Sequence, residues 1–126
     1  MRASCVVVFL MGIGLVLVSS PALVAHHSLA AEFDTNKPIE FDGVVKKIDW
    51  MNPHIYTQVE TKGPDGKTVV YRIEGSAPNA LFRNGWRPDS LKPGDPVHVT
   101  GIRAKSPASM NIGRAQITTP DGKRVF

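Results

Sequence analysis

The feature that most constrains the fold is a series of short segments, beyond residue 40, in which apolar and polar residues alternate between glycine and proline turns. Such alternation is typical of β-strands that bury one face. It predicts five strands, at residues 41–50, 55–61, 68–74, 96–104 and 110–119. In the first strand we expect Val44, Ile48 and Trp50 on one face, with a β-bulge at Gly43 or Val45.

The alternation of apolar and polar residues is interrupted once, between the third and fourth predicted strands. Residues 76–85 combine a capping Ser76, Pro78 in the first turn and a terminating Gly85, which predicts one short helix. Three strands, a helix and two strands are the order of an all-β, five-stranded, OB-like Greek-key barrel, with the helix closing one end. The alternative is an open β-sandwich, for which five strands in about 80 residues are too few.

The amino terminus carries a second, separate signal. Arg2 precedes an uninterrupted run of apolar residues and glycine at 5–18, which is 14 residues long. A membrane-spanning helix needs about 20 apolar residues, whereas a secretory signal core needs roughly 7–15 followed by small residues. We therefore interpret residues 1–25 as a signal peptide. The alternative is an uncleaved membrane anchor. Cleavage after Ala22 or after Ala25 satisfies the small-residue rule.

Cleavage after Ala25 would divide the chain into a signal peptide at 1–25, a leader at 26–38 and an OB-like domain at 39–126. The mature protein would then lie in the periplasm without a stable membrane anchor. The single cysteine, Cys5, leaves with the signal peptide, so no disulfide is available. An exported domain of this size must then depend on its packed core for stability.

Several short motifs in a fixed order resemble a known family. They are His26-His27-Ser28, Glu32-Phe33-Asp34, Gly43-Val44-Val45, Trp50-Met51-Asn52-Pro53-His54, Ser76-Ala77-Pro78-Asn79-Ala80-Leu81, Gly85-Trp86, Leu91-Lys92-Pro93-Gly94-Asp95, Thr100-Gly101 and Pro120-Asp121-Gly122-Lys123. Together they are similar to the small exported bacterial proteins called domain of unknown function 6152, over nearly all of the mature chain. The resemblance implies an exported β-domain whose mature end carries a His-His pair, and it implies no activity.

The histidines are the candidate metal ligands. If His26 is the mature terminus, its α-amino group and ring, with His27, form a nitrogen chelate suited to copper. A third nitrogen would come from His54 or His98. Proline in the Asn52-Pro53 corner aims His54 at one face. The alternatives are a solvated His-His leader, a His54 that bonds a neighbouring loop, and a His98 that is only a surface residue.

A second candidate surface lies on the predicted second and third strands. Tyr56 and Gln58 on one strand and Arg72 and Glu74 on the other would form a ligand face with hydrogen-bonding and aromatic groups suited to sugars, peptides or nucleotides. The alternative is an ordinary solvated face, with a weak ion pair from Arg72 to Glu60 or Glu74.

Charge and motifs exclude several function classes. Lysine and arginine number 15 against 11 acidic residues, but they are dispersed along the chain, and with export this argues against nucleic-acid binding. No nucleophile elbow, phosphate loop or His-Glu-x-x-His motif occurs. The sequence thus favours a non-enzymatic binding module for a small ligand, a metal ion or a periplasmic protein, with copper as the most specific ligand. The alternative is a metal-independent adaptor that binds a peptide, glycan or partner protein, and a minimal copper oxidase is a third hypothesis.

Overall fold

A computed structural model describes residues 29–126 of the chain, and this part is mostly β-structure. It contains five strands and a helix, preceded by one helical turn at residues 29–32. The elements are β1 (Phe33–Asp49), β2 (Tyr56–Lys62), β3 (Thr68–Glu74), α1 (Pro78–Arg83), β4 (Pro96–Ala104) and β5 (Asn111–Thr118). The prediction of five strands with one short helix between the third and fourth is confirmed. Between residues 29 and 126, no helix has the length and apolar character needed to cross a membrane.

The five strands form one sheet in the order β1-β2-β3-β5-β4, and β4 pairs again with β1, so that the sheet closes on itself. Neighbouring strands are antiparallel except β3 and β5, which run parallel. Their register within the described residues comprises two pairs, Arg72 with Asn111 and Ile73 with Ile112. The amino-terminal half of β3, residues 68–71, therefore has no partner on its β5 side.

The core lies inside the closed sheet and follows the alternation of the strands. Its largest fully buried side chains are Ile73, Leu81, Ile112, Ile117, Val45, Val59, Val99 and Thr57. Every strand contributes to this set, because one face of each strand points inward. Trp86 is also buried, whereas Trp50 packs against the core from its edge.

The first strand begins earlier than the sequence predicts. β1 starts at Phe33, inside the segment 26–38 that we interpreted as a leader, and its first half pairs with β4. The reason is that Phe33 is an anchor with 4% exposure, and its ring fills the space that Gly113 leaves by having no side chain. A Cβ at Gly113 would lie 2.7 Å from that ring.

The expected bulge in β1 is present, and it changes which side chains of the strand share a face. Val45 pairs with Val59, whereas Lys47 pairs with Gln58, so β1 carries one extra residue between Val45 and Lys47. Val45 is buried and Val44 is 41% exposed, whereas Ile48 packs against the core, so the prediction that Val44 shares a face with Ile48 is wrong. The extra residue breaks the period of two, which brings Ile48 back toward the core.

The helix occupies the predicted position with a different start. Its N-cap is Ala77, and no side chain caps it, so the assignment of Ser76 as the cap is wrong. Pro78 at the first helical position removes one amide that a cap would otherwise have to satisfy. Leu81 is buried against the core, but its neighbour Phe82 is 40% exposed, so only Leu81 closes the end of the sheet.

The end of the helix follows the predicted chemistry. Gly85 adopts a φ of +83°, the left-handed region that glycine enters without steric cost. Its amide donates to the Phe82 carbonyl at 3.1 Å, and the Trp86 amide donates to the Leu81 carbonyl at 2.9 Å. These two bonds are the Schellman arrangement. They turn the chain so that Trp86 enters the core.

Candidate functional site

His54 lies at the end of the corner between β1 and β2, two residues before β2 begins. The Asn52–Pro53 peptide in this corner is cis. Beyond it, the Ile55 amide donates to the Ser76 carbonyl at 3.3 Å, and the Gly75 amide donates back to the Ile55 carbonyl at 2.9 Å. These bonds hold the corner against the carboxyl end of β3, which places the His54 side chain beside the last residue of that strand.

That last residue, Glu74, is the partner of His54. The His54 Nδ1 and a Glu74 carboxylate oxygen form a hydrogen bond, and both side chains are partly exposed. A carboxylate on one ring nitrogen fixes the orientation and tautomer of an imidazole, and it directs the other nitrogen outward. The described residues provide no hydrogen-bond partner for Nε2. This arrangement is the one that metal-ligating histidines adopt.

His54 and Glu74 form one wall of a groove of about 480 Å³, called the His54 groove below. The other lining residues are Leu29, Glu32, Phe33, Gly75, Ser76, Arg114, Ala115, Arg124 and Phe126. Two carboxylates and two guanidinium groups are among them, so the formal charge of the groove is balanced while His54 is neutral. Arg114 reaches it from a backbone φ of +46°, a conformation that is strained for a residue with a side chain.

Of the three predicted metal ligands, only His54 lies within the residues that the structure describes. His26 and His27 lie outside the described residues. Leu29, which follows His27 by two positions, lines the His54 groove. Within residues 29–126, no cluster of three or more His, Cys, Asp or Glu side chains could hold a metal ion.

The four residues of the predicted ligand face do lie together. Tyr56 pairs with Glu74, and Gln58 pairs with Arg72, across the β2–β3 ladder. The Arg72 guanidinium carbon sits 3.5 Å from the centre of the Tyr56 ring, which is a cation–π contact. The alternative interpretation, with an ion pair from Arg72 to Glu60 or Glu74, does not match the described contacts: Glu60 pairs with Lys46 at 3.2 Å, and Glu74 bonds His54.

His98 belongs to a different cluster, on the outer surface of β1 and β4. Its Nδ1 lies 2.8 Å from Asp42, which is its direct cross-strand neighbour, and its Nε2 lies 3.2 Å from Glu40. The hydrogen bond with Asp42 raises the pKa of His98, burial opposes the rise, and the charges of Asp42 and Glu40 add to it. Both ring nitrogens therefore face carboxylates, and His98 is remote in sequence from the other histidines.

Sequence reasoning did not find several residues of the His54 groove. Glu32 is held by the Asn111 side chain, whose amide donates to it at 2.8 Å across 79 positions of sequence. Arg114 and Arg124 come from β5 and from the chain after it. The only local signal was the Gly113-Arg114 pair, since a glycine inside a strand marks a bend or a close approach.

Comparison with known proteins identifies a family whose function is unknown. Residues 14–112 match the model of a family described as a family of unknown function, DUF6152. This range includes His26, His27, His54 and the strands from β1 to β4. No curated protein and no solved structure matches the chain. The match covers well over half of the residues and confirms the resemblance drawn from the motifs, so the chain belongs to the DUF6152 family.

Proposed function

We propose that this chain is an exported periplasmic binding module, built as an OB-like Greek-key barrel, that binds copper through His26, His27 and His54. The strand order supports the fold class: β1, β2 and β3 follow one another, and β4 returns to lie beside β1, as in a Greek key. The helix between β3 and β4 supports the OB-like assignment. The apolar run at 5–18 with its small-residue cleavage positions supports export.

The observation that carries the metal proposal is the position of Leu29 in the His54 groove. Consecutive Cα atoms are about 3.8 Å apart, so the Cα of His27 lies within roughly 8 Å of the Cα of Leu29 by covalent geometry alone. Histidine side chains add several ångströms of reach. A metal at the Nε2 of His54 would therefore lie in the groove that the chain enters two residues after His27.

The donor chemistry favours copper among the transition metals. Imidazole nitrogens suit Cu(II), Ni(II) and Zn(II), and Cu(II) has the highest affinity in the divalent series. Cleavage after Ala25 would add the α-amino nitrogen of His26 and allow a planar nitrogen set. Cleavage after Ala22 would remove that close chelate. In this proposal Glu74 is a positioning residue, since it holds the ring of His54.

The test begins with the protein expressed with its leader and recovered from the periplasm. Its denatured mass identifies the cleavage site, and its native mass identifies any bound ion. Copper affinity is then measured by calorimetry against a competing chelator, with electron paramagnetic resonance reporting the number of nitrogen ligands.

We expect the double variant His26→Ala/His27→Ala to abolish tight copper binding, and His54→Ala to remove one nitrogen from the spectrum. Loss of the supporting carboxylate in Glu74→Gln should weaken copper binding by roughly 10–100-fold. His98→Ala is the matched control and should leave affinity unchanged. A recovered chain that still begins at Met1, or a double variant that binds copper as tightly as the parent, would refute the proposal.

The stacked Tyr56 and Arg72 pair favours a second candidate, a metal-independent adaptor that binds a peptide, glycan or partner protein on the β2–β3 face. Stacking orders the Arg72 side chain and leaves donors available beside Gln58. Glycan or peptide binding that is lost in Tyr56→Ala and retained in His26→Ala/His27→Ala would favour this candidate over the first. Copper-dependent turnover of a redox substrate would favour the third, a minimal copper oxidase.

A further inference from the structure

A second groove, of about 350 Å³, shares no lining residue with the His54 groove. It lies where β3 lacks a partner on its β5 side, and we call it the β3–β5 groove. Its lining includes Lys37, Val69, Tyr71, Arg103, Lys105 and Ile112.

The groove exists because the parallel pairing of β3 and β5 starts late. β5 begins at Asn111, opposite Arg72, and the Arg72 amide donates to the Met110 carbonyl at 2.9 Å. Before that point the chain between β4 and β5 forms a loop, so the edge of residues 68–71 that faces β5 has no partner strand. The groove is thus a consequence of the register between β3 and β5. A change in the rotamer of one flexible side chain would not close it.

The charged residues that line the β3–β5 groove are all basic. Lys37, Arg103 and Lys105 line it, and no acidic residue does. Lys37 pairs with Asp34 at 3.4 Å, and the Lys105 ammonium donates to the Ala30 carbonyl at 2.6 Å. Within residues 29–126, neither Arg103 nor Lys105 forms an ion pair with a carboxylate. Arg103 is therefore the cation that is more available to an anion, whereas the Lys105 ammonium already donates to the Ala30 carbonyl and its charge also acts on Asp34.

The lining of the groove also has an apolar part. Val69, Tyr71 and Ile112 belong to it, as does Met110, which is 44% exposed. The guanidinium carbon of Arg103 is 5.9 Å from the centre of the Tyr71 ring, so the cation lies beside an aromatic surface. A concave site that combines apolar side chains with placed polar groups, in a volume near the lower end of 300–1,000 Å³, suits a small molecule.

We propose that the β3–β5 groove binds a small organic carboxylate. The apolar body of the ligand lies against Val69 and Tyr71, and its carboxylate lies between Arg103 and Lys105. The planar fork of a guanidinium matches a carboxylate in two parallel hydrogen bonds, and the lysine adds a mobile second charge. This site is independent of the copper proposal, because the two grooves have no residue in common.

The experiment compares three probes of nearly equal size on the full mature protein. They are 4-phenylbutyrate, the uncharged 4-phenylbutanol and the cationic 4-phenylbutylamine. Amide shifts in ¹H–¹⁵N spectra locate binding, and their concentration dependence measures it. We expect saturable shifts for the carboxylate at Val70, Tyr71 and Asn111, in the millimolar range for a ligand this small. We expect little response to the amine.

Variants test the two cations directly. Arg103→Gln should weaken binding of 4-phenylbutyrate about tenfold, since it removes a charged hydrogen bond, and Lys105→Gln should weaken it less. Arg83→Gln, on the exposed face of α1, is the matched control and should have no effect. His54→Ala should also have no effect, which separates this proposal from the copper site.

Three results would overturn the inference. They are equal binding of the alcohol and the carboxylate, unchanged binding in Arg103→Gln, and the absence of saturable shifts with 4-phenylbutyrate. The three glutamine variants change exposed side chains, so their folding can be verified by the unchanged remainder of the same spectra.

Discussion

Thr57 is a polar residue in the core of β2. Its side chain is fully buried, and its hydroxyl has no hydrogen-bond partner among the residues that the structure describes. Alternation in the sequence placed this side chain inside with Val59, but a threonine is compatible with either a buried or an exposed position. A buried hydroxyl without a partner costs about 1–3 kcal/mol, because its hydrogen bonds to water are lost.

Thr57→Val replaces that hydroxyl with a methyl group of similar shape. We expect the free energy of unfolding, measured by urea denaturation, to rise by about 1 kcal/mol. Thr61→Val is the matched control on the same strand. The Thr61 hydroxyl donates to the Asp42 carbonyl at 2.7 Å, so its removal should give no gain. A loss of stability in Thr57→Val would mean that a buried water satisfies the hydroxyl, and it would contradict the prediction.

His98 gives a second prediction for a single residue, concerning pH. Its pKa is raised by the hydrogen bond with Asp42 and by the charges of Asp42 and Glu40, so the folded chain binds a proton at His98 more tightly than the unfolded chain does. A pKa that is higher in the folded state stabilises the protein at low pH. That contribution is complete below about pH 6.5, the ordinary histidine value, and it disappears as the pH rises through the raised pKa.

Asp42→Asn should lower the pKa of His98 in an NMR titration, and Glu40→Gln should lower it less, because Asp42 makes the larger contribution. The stability difference between the parent and Asp42→Asn should be greater at about pH 5.5 than at about pH 8.5. The side chains are exposed, so this difference is small. A His98 pKa that is unchanged in Asp42→Asn would contradict the assignment.

At the scale of elements, β1 differs most from the prediction. The sequence before Ile39 contains Pro38, Lys37 and Asn36, a polar composition that favours a loop. The tertiary structure overrides this preference because the Phe33 ring packs over Gly113, and β1 pairs with β4 at Phe33 and again from Pro38 onward. The intrinsic preference of a few polar residues for a loop is weak compared with the burial of one aromatic side chain.

Phe33→Ala tests whether this early part of β1 belongs to the folded unit. We expect it to lower the free energy of unfolding by about 3 kcal/mol, as for other buried phenylalanines. Phe82→Ala makes the same chemical change at a side chain that is 40% exposed and should cost clearly less. Equal effects of the two substitutions in urea denaturation would contradict this prediction and show that the Phe33 side chain adds little to the stability of the folded unit.

The helix shows what local sequence can and cannot predict about an element. Its position followed from Pro78 and Gly85, whose backbone preferences are intrinsic to the residues. Its start did not, because Ser76 uses its carbonyl to accept the Ile55 amide and lies outside the cap position. Serine is a good helix cap by local preference, but here a hydrogen bond from a distant part of the chain holds Ser76 outside the cap position.

At the scale of the whole molecule, closure of the sheet creates the candidate sites. His54 and Glu74 are 20 positions apart, and His98 and Asp42 are 56 apart. Each pair is brought together by strand register, in the first case with the bonds that hold the corner before β2. The β3–β5 groove depends on closure as well, since it lies where one pairing in the ring is incomplete.

The sequence by itself determined the number and approximate positions of the strands, the helix between the third and fourth, the residues of the β2–β3 face and the family. These features rest on short-range periodicity and on the backbone limits of glycine and proline, which act within a few residues. The tertiary structure decided that the sheet closes, that β1 begins at Phe33, and which side chains share each groove. Those outcomes depend on contacts between residues far apart in the chain, whose free energy exists only once the whole sheet has formed.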